Sequence, residues 1–155
     1  MKLIFPGSFD PFTKGHESVV RRALDFCDEI VIAIGYNGLK RDNGMFPVEE
    51  REAMISAFYK DEPRVSVISY TTLTTDIAHQ LHCAHILRGV RTVIDFEYER
   101  QLADVNRHLT GIETILLFNE PDMAHITSST VRELLSFGKD VSDFMPDAFP
   151  TLKTK

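Results

Sequence analysis

Short apolar runs alternate with stretches of helical spacing along most of the chain. Leu3, Ile4 and Phe5 form a run suited to a buried parallel strand, and Pro6-Gly7 ends it. From Gly15-His16 onward the apolar residues Val19, Val20, Ala23, Leu24 and Cys27 fall at helical spacing, and Asp28 to Gly35 is a second, β-branched run. Strand, crossover helix and a second, parallel strand are therefore expected at the start. Pro47 with Glu49, Glu50 and Arg51 opens a helix whose apolar face is expected at Ala53, Met54, Ala57 and Phe58. Arg64 to Tyr70 reads as a third strand, and Thr71, Thr72, Thr74 and Thr75 crowd the turn into a helix of about Thr75 to Cys83. Ala84 to Arg88 reads as a fourth strand, about Asp95 to Leu109 as a long helix, and Glu113 to Phe118 as a fifth strand. Thr127-Ser128-Ser129-Thr130 caps a last helix that runs to Phe137 and stops at Gly138, and Phe144, Phe149 and Leu152 are expected to pack beyond it. Strands alternating with helices predict an α/β protein with a doubly wound five-stranded parallel sheet. Ligands bind such sheets beyond the carboxyl ends of the strands, where His16, Lys40, Thr74, Arg88 and Arg91 are all expected to emerge.

Composition narrows the field. With 43% hydrophobic residues, 155 residues are enough for one packed core, and residues 1–155 are expected to form one domain. A net charge of -6 argues against DNA or RNA as the main partner, because such binding rests on neutralising many phosphates. Any phosphate would be met by a few cations focused in one cleft. The first apolar run is too short for a signal peptide and no run approaches a membrane span, so a soluble, cytoplasmic protein is expected. Cys27 and Cys83 are expected to be reduced and buried on apolar faces of predicted helices. His79, His82 and His85 recur every third residue, yet they straddle a helix and a strand and lack a suitably spaced carboxylate, so no metal ligands are assigned.

The candidate chemistry begins in the loop after the first strand, G-S-F-D-P-F-T-K-G-H, from Gly7 to His16. A strand-loop-helix unit of this kind aims backbone N–H groups and a helix N-terminus at a bound anion. The loop contains neither G-x-x-x-x-G-K-[ST] nor G-x-G-x-x-G. His16 sits where its ring meets a phosphate oxygen and supports charge growing there; otherwise it is a helix-capping residue. Arg88 and Arg91 can each grip phosphate with a planar guanidinium, or stand as a solvated pair after a strand. Ser128 and Ser129 offer hydroxyls and N–H groups at a helix start. Asp95, Glu97 and Glu99 read locally as a helix start and a solvated face.

Thr13-Lys14-Gly15-His16 resembles the [HT]-x-G-H signature of the nucleotidyltransferase superfamily. Arg88-Gly89-Val90-Arg91, followed by Asp95-Phe96-Glu97-Tyr98-Glu99, Gln101-Leu102 and Asn106-Arg107, is very similar to the hallmark block of the phosphopantetheine adenylyltransferases, and Ile126 to Thr130 resembles their I-S-S-[ST]-x segment. The resemblance covers nearly the whole chain and implies a Rossmann-like nucleotidyltransferase fold. It implies adenylyl transfer from ATP to 4'-phosphopantetheine with Mg²⁺, giving dephospho-coenzyme A and pyrophosphate in coenzyme A biosynthesis. Carried over by motif, Ser8, Phe9, His16, Gly89, Val90, Arg91, Glu99, Met123, Ala124, His125, Ile126, Thr127, Ser128 and Ser129 would line the ATP site. Ser8, Lys40, Thr74 and Arg88 would hold phosphopantetheine, with Arg41 the alternative to Lys40 because the loop is longer than the family's usual turn. His16, Lys40 and Arg88 would be the catalytic residues, acting on a direct in-line attack. Ser8 stands for the usual threonine, Thr127 for a serine and Thr74 for a common hydrophobic residue; none of these removes a charge. The resemblance also implies a homohexamer and feedback inhibition by coenzyme A.

Two rivals share part of this pattern. A related nucleotidyltransferase with nicotinate mononucleotide or a cytidylyl acceptor would share T-x-G-H without the block from Arg88 to Glu99. A non-catalytic nucleotide sensor on the same fold would not require His16, Lys40, Arg88 and Arg91 together.

Overall fold

The structure, a computed structural model, describes residues 1–38 and 44–153. Its elements follow the expected alternation: β1 (Lys2–Gly7), α1 (Lys14–Ala23), β2 (Glu29–Gly35), α2 (Val48–Phe58), β3 (Val65–Tyr70), α3 (Thr74–Gln80), β4 (His85–Val90), α4 (Val93–Thr110), β5 (Glu113–Phe118) and α5 (Ser128–Ser136). All strand pairs are parallel, in the order β3-β2-β1-β4-β5. The chain winds outward from β1 in one direction, then returns to lay β4 on the other side of it. This reversal places a crevice between β1 and β4, where the crossover connections leave to opposite faces.

The register sharpens that crevice. β1 pairs with β2 over its whole length, from Lys2↔Glu29 to Gly7↔Ile34. With β4 it pairs only at Leu3↔His85 and Ile4↔Ile86. Beyond those residues the two central strands separate, and the space between Phe5–Gly7 and Leu87–Val90 belongs to the site.

Alternation along the strands fills both faces, as a covered parallel sheet requires. Leu3, Phe5, Ile30, Ile32 and Leu87 pack against Val19, Val20 and Ala23 of α1 and Ile55 of α2. Ile4, Val31, Ala33 and Ile86 pack on the other face with Ala78 of α3. The C-terminal segment packs as the sequence suggested, with Phe149 stacked on Phe12 at 5.9 Å and Phe144 and Leu152 against α5.

Four expectations are corrected. The inner face of α2 is Val48, Arg51 and Ile55, with Ala53 and Ala57 exposed. An arginine holds that face because its guanidinium is buried on backbone carbonyls, which the apolar spacing does not reveal. Cys27 and Cys83 are buried and unbridged, but they lie in the turns after α1 and α3 rather than on the helices, because both helices end earlier than the apolar pattern does. β4 runs on past Arg88 through Val90, so Gly89 and Val90 lie within the strand. Glu99 is no part of a solvated face: it is the buried residue of α4.

Candidate active site

The loop from β1 to α1 is held by side chains that take its backbone carbonyls. Arg51 donates through Nη1 to the Ser8 carbonyl (2.8 Å) and through Nε to that of Phe46 (2.8 Å). Arg132 of α5 donates to the Asp10 carbonyl (2.7 Å), and Ser128 Oγ to that of Pro11 (2.8 Å). The Asp10 carboxylate accepts the N–H groups of Met45 (2.8 Å) and Phe46 (2.9 Å), 4.0 Å from Arg51 Nε. Two helices and the segment leading into α2 thereby fix one loop. At its apex Phe9 adopts φ 48°, a left-handed conformation unusual for a side chain of this size. Its ring then lies 3.0–3.3 Å from where a Gly7 Cβ would be, so any side chain there would have to push the ring aside.

His16 occupies the third position of α1. The Thr13 N–H donates to Nδ1 at 3.0 Å, so the histidine plays the part that a glutamate plays in a capping box. An accepting Nδ1 puts the ring proton on Nε2. The half-buried ring is packed by Phe9 (4.9 Å) and Phe12 (5.4 Å). Burial first, then the positive charges of Arg91 and Arg88, push its pKa down to about 3 from 6.5. Near neutrality His16 is thus an uncharged donor with a fixed tautomer.

Arg88 lies across the crevice. Its Nε and Nη2 donate to the two oxygens of Glu99 (2.9 and 2.7 Å), and Nη1 donates to the Pro6 carbonyl (2.5 Å). At Gly89, a Cβ would meet Asn119 Oδ1 at 3.1 Å and Val19 Cγ2 at 3.2 Å, so glycine lets the end of β5 approach α1. Arg91 follows the strand; its N–H and Nε both donate to Asp95, while Nη1 reaches the Ile126 carbonyl at 3.5 Å. Thr127 caps α5 by accepting the Thr130 N–H (3.0 Å), leaving the first turn of the helix to face the crevice.

These groups enclose two adjoining cavities. The first, about 300 Å³, brings together Ser8, Phe9, His16, Arg88, Gly89, Arg91, Glu99 and Ile126 to Ser129. The second, about 390 Å³, is more apolar and is lined by Tyr70, Leu73, Leu102, Val105 and Leu109 together with Thr74, whose hydroxyl shares a 2.7 Å hydrogen bond with that of Tyr70. Pro6, Gly7, Arg88 and Glu99 wall both. Val90 is buried, and Met123, Ala124 and His125 lie on the connection from β5 to α5; none of the four lines either cavity. Lys40 and Arg41 fall outside the described residues. Three polar residues of the first cavity escaped the sequence reading: Asp95 as the partner of Arg91, Asn119, and Arg132. Arg132 follows Ser128 by one helical turn, the spacing that would have placed it on the same face.

Sequence comparison bears on this arrangement. The cytidylyltransferase-like family model matches residues 4–134. A phosphopantetheine adenylyltransferase of Bacteroides thetaiotaomicron is 58% identical over 146 residues, covering 94% of this chain and 95% of its own length. That of Porphyromonas gingivalis is 49% identical over 146 residues, with 94% of each covered. The chain belongs to the phosphopantetheine adenylyltransferase family. It is a nucleotidyltransferase. Among solved structures, a bifunctional NMN adenylyltransferase/ADP ribose pyrophosphatase from Francisella tularensis superimposes with a TM-score of 0.69 at 17% identity, over 93% of this chain. The chain spans 44% of that longer protein, and the likeness shows the Rossmann-like nucleotidyltransferase fold alone.

Proposed function

We propose that this chain transfers the adenylyl group of ATP to 4'-phosphopantetheine, releasing pyrophosphate and forming dephospho-coenzyme A in the cytoplasm. The observation that carries the proposal is the shared wall: one polar and one more apolar cavity meet at Arg88. ATP would occupy the first, its β- and γ-phosphates against the first turn of α5, Arg91 and Arg132. The acceptor would place its phosphate at Arg88 and run its pantetheine arm along Leu73, Leu102 and Leu109, with Thr74 and Tyr70 as polar contacts for the amides.

An acceptor phosphate oxygen attacks the α-phosphorus while the bond to the bridging oxygen of pyrophosphate breaks. The chain supplies alignment and charge stabilisation and no covalent nucleophile. The Nε2–H of His16 donates to an α-phosphate oxygen whose charge grows in the pentacoordinate state, and Arg88 steadies the attacking phosphate. Lys40 is assigned to the same phosphate from the family resemblance. Mg²⁺ would come bound to ATP and offset the charge of its phosphates. The carboxylates that line the first cavity, Asp95 and Glu99, are already paired with Arg91 and Arg88, and the described residues hold no cluster of three metal-ligating side chains. Phosphate oxygens and water would supply its ligands.

Coenzyme A carries the same pantetheine arm and would compete for the second cavity, which is the basis for inhibition by the pathway's end product. A homohexamer is proposed from the family resemblance. The test of function is pyrophosphate release from ATP and Mg²⁺ with a panel of acceptors. Release with 4'-phosphopantetheine and none with nicotinamide mononucleotide or no acceptor is expected; the reverse preference would assign the site to another acceptor.

A further inference from the structure

The orientation of His16 depends on Phe12 in two ways. The Phe12 ring packs on the imidazole at 5.4 Å, and the N–H that holds Nδ1 belongs to the peptide joining Phe12 to Thr13. Phe12 is 1% exposed, and part of its cover comes from the far end of the chain: Phe149 stacks on it at 5.9 Å with the ring planes 14° apart, and meets Phe58 of α2 at 5.5 Å. Phe149 belongs to two packed groups, the main core that contains Phe12 and the smaller cluster of Val131, Val141 and Met145 around α5. One ring thus joins the helix that carries Ser128, Ser129 and Arg132 to the residue against which His16 rests. The turn that delivers this ring is not relaxed. Ala148 adopts φ 61°, a left-handed conformation that glycine takes freely and alanine does not, and the Phe149 N–H closes the turn on the Pro146 carbonyl at 3.1 Å. Local preference would not keep alanine there; the apolar contacts of Phe149 do.

We infer that Phe149 is a positioning residue for the transfer reaction: stacked on Phe12, it fixes the Phe12–Thr13 segment and with it the direction in which His16 presents its Nε2–H. This rests on the function proposed above. The link is one of packing, and close-packed rings pass on a displacement because there is little free volume to absorb it. Truncating Phe149 leaves a void beside Phe12. The Phe12 ring can then turn into it, and the Thr13 N–H and the imidazole lose their alignment together. Ground-state binding of ATP draws on many other groups and tolerates this, whereas a donor aimed at charge that develops in the transition state does not.

The test compares wild type with Phe149→Ala, Phe149→Leu and Leu152→Ala; Leu152 packs in the same C-terminal segment against the α5 cluster and controls for simple loosening. In steady-state pyrophosphate release from ATP, Mg²⁺ and phosphopantetheine, Phe149→Ala should lower kcat about tenfold or more while both KM values stay within about threefold. Leucine keeps apolar bulk without the stacked ring; its kcat should lie between alanine and wild type, and it carries the test if the alanine variant does not fold. Leu152→Ala should keep the wild-type kcat. In ¹⁵N NMR, wild-type His16 should show an accepting Nδ1 and a protonated Nε2, and the Phe149 variants should draw the two nitrogen shifts together as the tautomers mix. Unchanged shifts, or an unchanged kcat in Phe149→Ala, would overturn the inference. An equal loss of kcat in Leu152→Ala would reduce Phe149 to general packing, and a rise in the ATP KM that matches the fall in kcat would place its effect on α5 instead. Failure of the wild type to turn over phosphopantetheine would overturn the functional reading and this inference together, whereas wild-type turnover with any of those other patterns overturns the inference alone.

Discussion

His16 caps α1, and the proposed mechanism gives the same ring a catalytic part. Its Nδ1 is spent on the Thr13 N–H, which fixes the tautomer, and its environment lowers its pKa to about 3, which fixes its charge. In ¹⁵N NMR of the free protein, the His16 ring should remain neutral with the proton on Nε2 from pH 8 down to pH 5; an imidazolium signal at pH 6 would contradict this. The same shift has a sign in stability. Below pH 6.5 the unfolded chain takes up a proton at this histidine that the native state refuses, so stability falls as the pH drops from about 6.5 toward 3. Urea unfolding at pH 7 and pH 5 should show wild type losing on the order of 1 kcal/mol more than His16→Gln over that interval. In catalysis, His16→Ala should lower kcat roughly 10²- to 10³-fold with ATP affinity changed only a few-fold, because its bond strengthens as charge develops. Near-normal kcat with badly weakened ATP binding would make it a ground-state ligand. His16, Gly89 and Arg91 were legible in the sequence because short local motifs carry them. Arg132 and Asn119 were not, because only the tertiary fold brings α5 and the end of β5 onto the first loop.

At the scale of elements, the strands and their order of appearance follow directly from runs of β-branched and apolar residues. The helices were harder where a charged side chain faces inward. α2 and α4 each bury one, Arg51 and Glu99, and a pattern that treats charge as outward-facing misplaces both faces. The reason is local satisfaction: Arg51 finds the Ser8 and Phe46 carbonyls, and Glu99 finds Arg88. Nor does the sequence reveal that β1 and β4 pair only at two positions, since the separation depends on the register of strands more than eighty residues apart in the chain. Arg51→Ala removes the bonds that tie α2 to the loop between β1 and α1 and leaves the Asp10 carboxylate buried beside the gap. Chemical unfolding should show a loss of roughly 3 to 5 kcal/mol. A loss below about 1 kcal/mol would mean that the loop is held by its other contacts.

Over the whole molecule, the outer side of α4 carries an exposed apolar stripe. Ile94, Tyr98, Leu102, Val105 and Leu109 recur at helical spacing, and Tyr98 is 60% and Leu109 63% exposed. Such a row is unusual on a lone soluble chain and supports the proposed self-association. Light scattering should give the mass of six chains, and Tyr98→Glu combined with Val105→Glu should shift it to a smaller species; a monomeric wild type would contradict the hexamer. Because Leu102, Val105 and Leu109 also line the second cavity, association and acceptor binding share one helix.

Adenylyl transfer at the junction of the two cavities is tested most directly by the fate of the α-phosphate. With ATP labelled on the α-phosphorus, 4'-phosphopantetheine and Mg²⁺, the label should appear in dephospho-coenzyme A in amounts equal to the unlabelled pyrophosphate released, with none bound to protein in acid-quenched samples. Label left in free AMP, or a labelled protein intermediate, would contradict direct transfer between the two cavities.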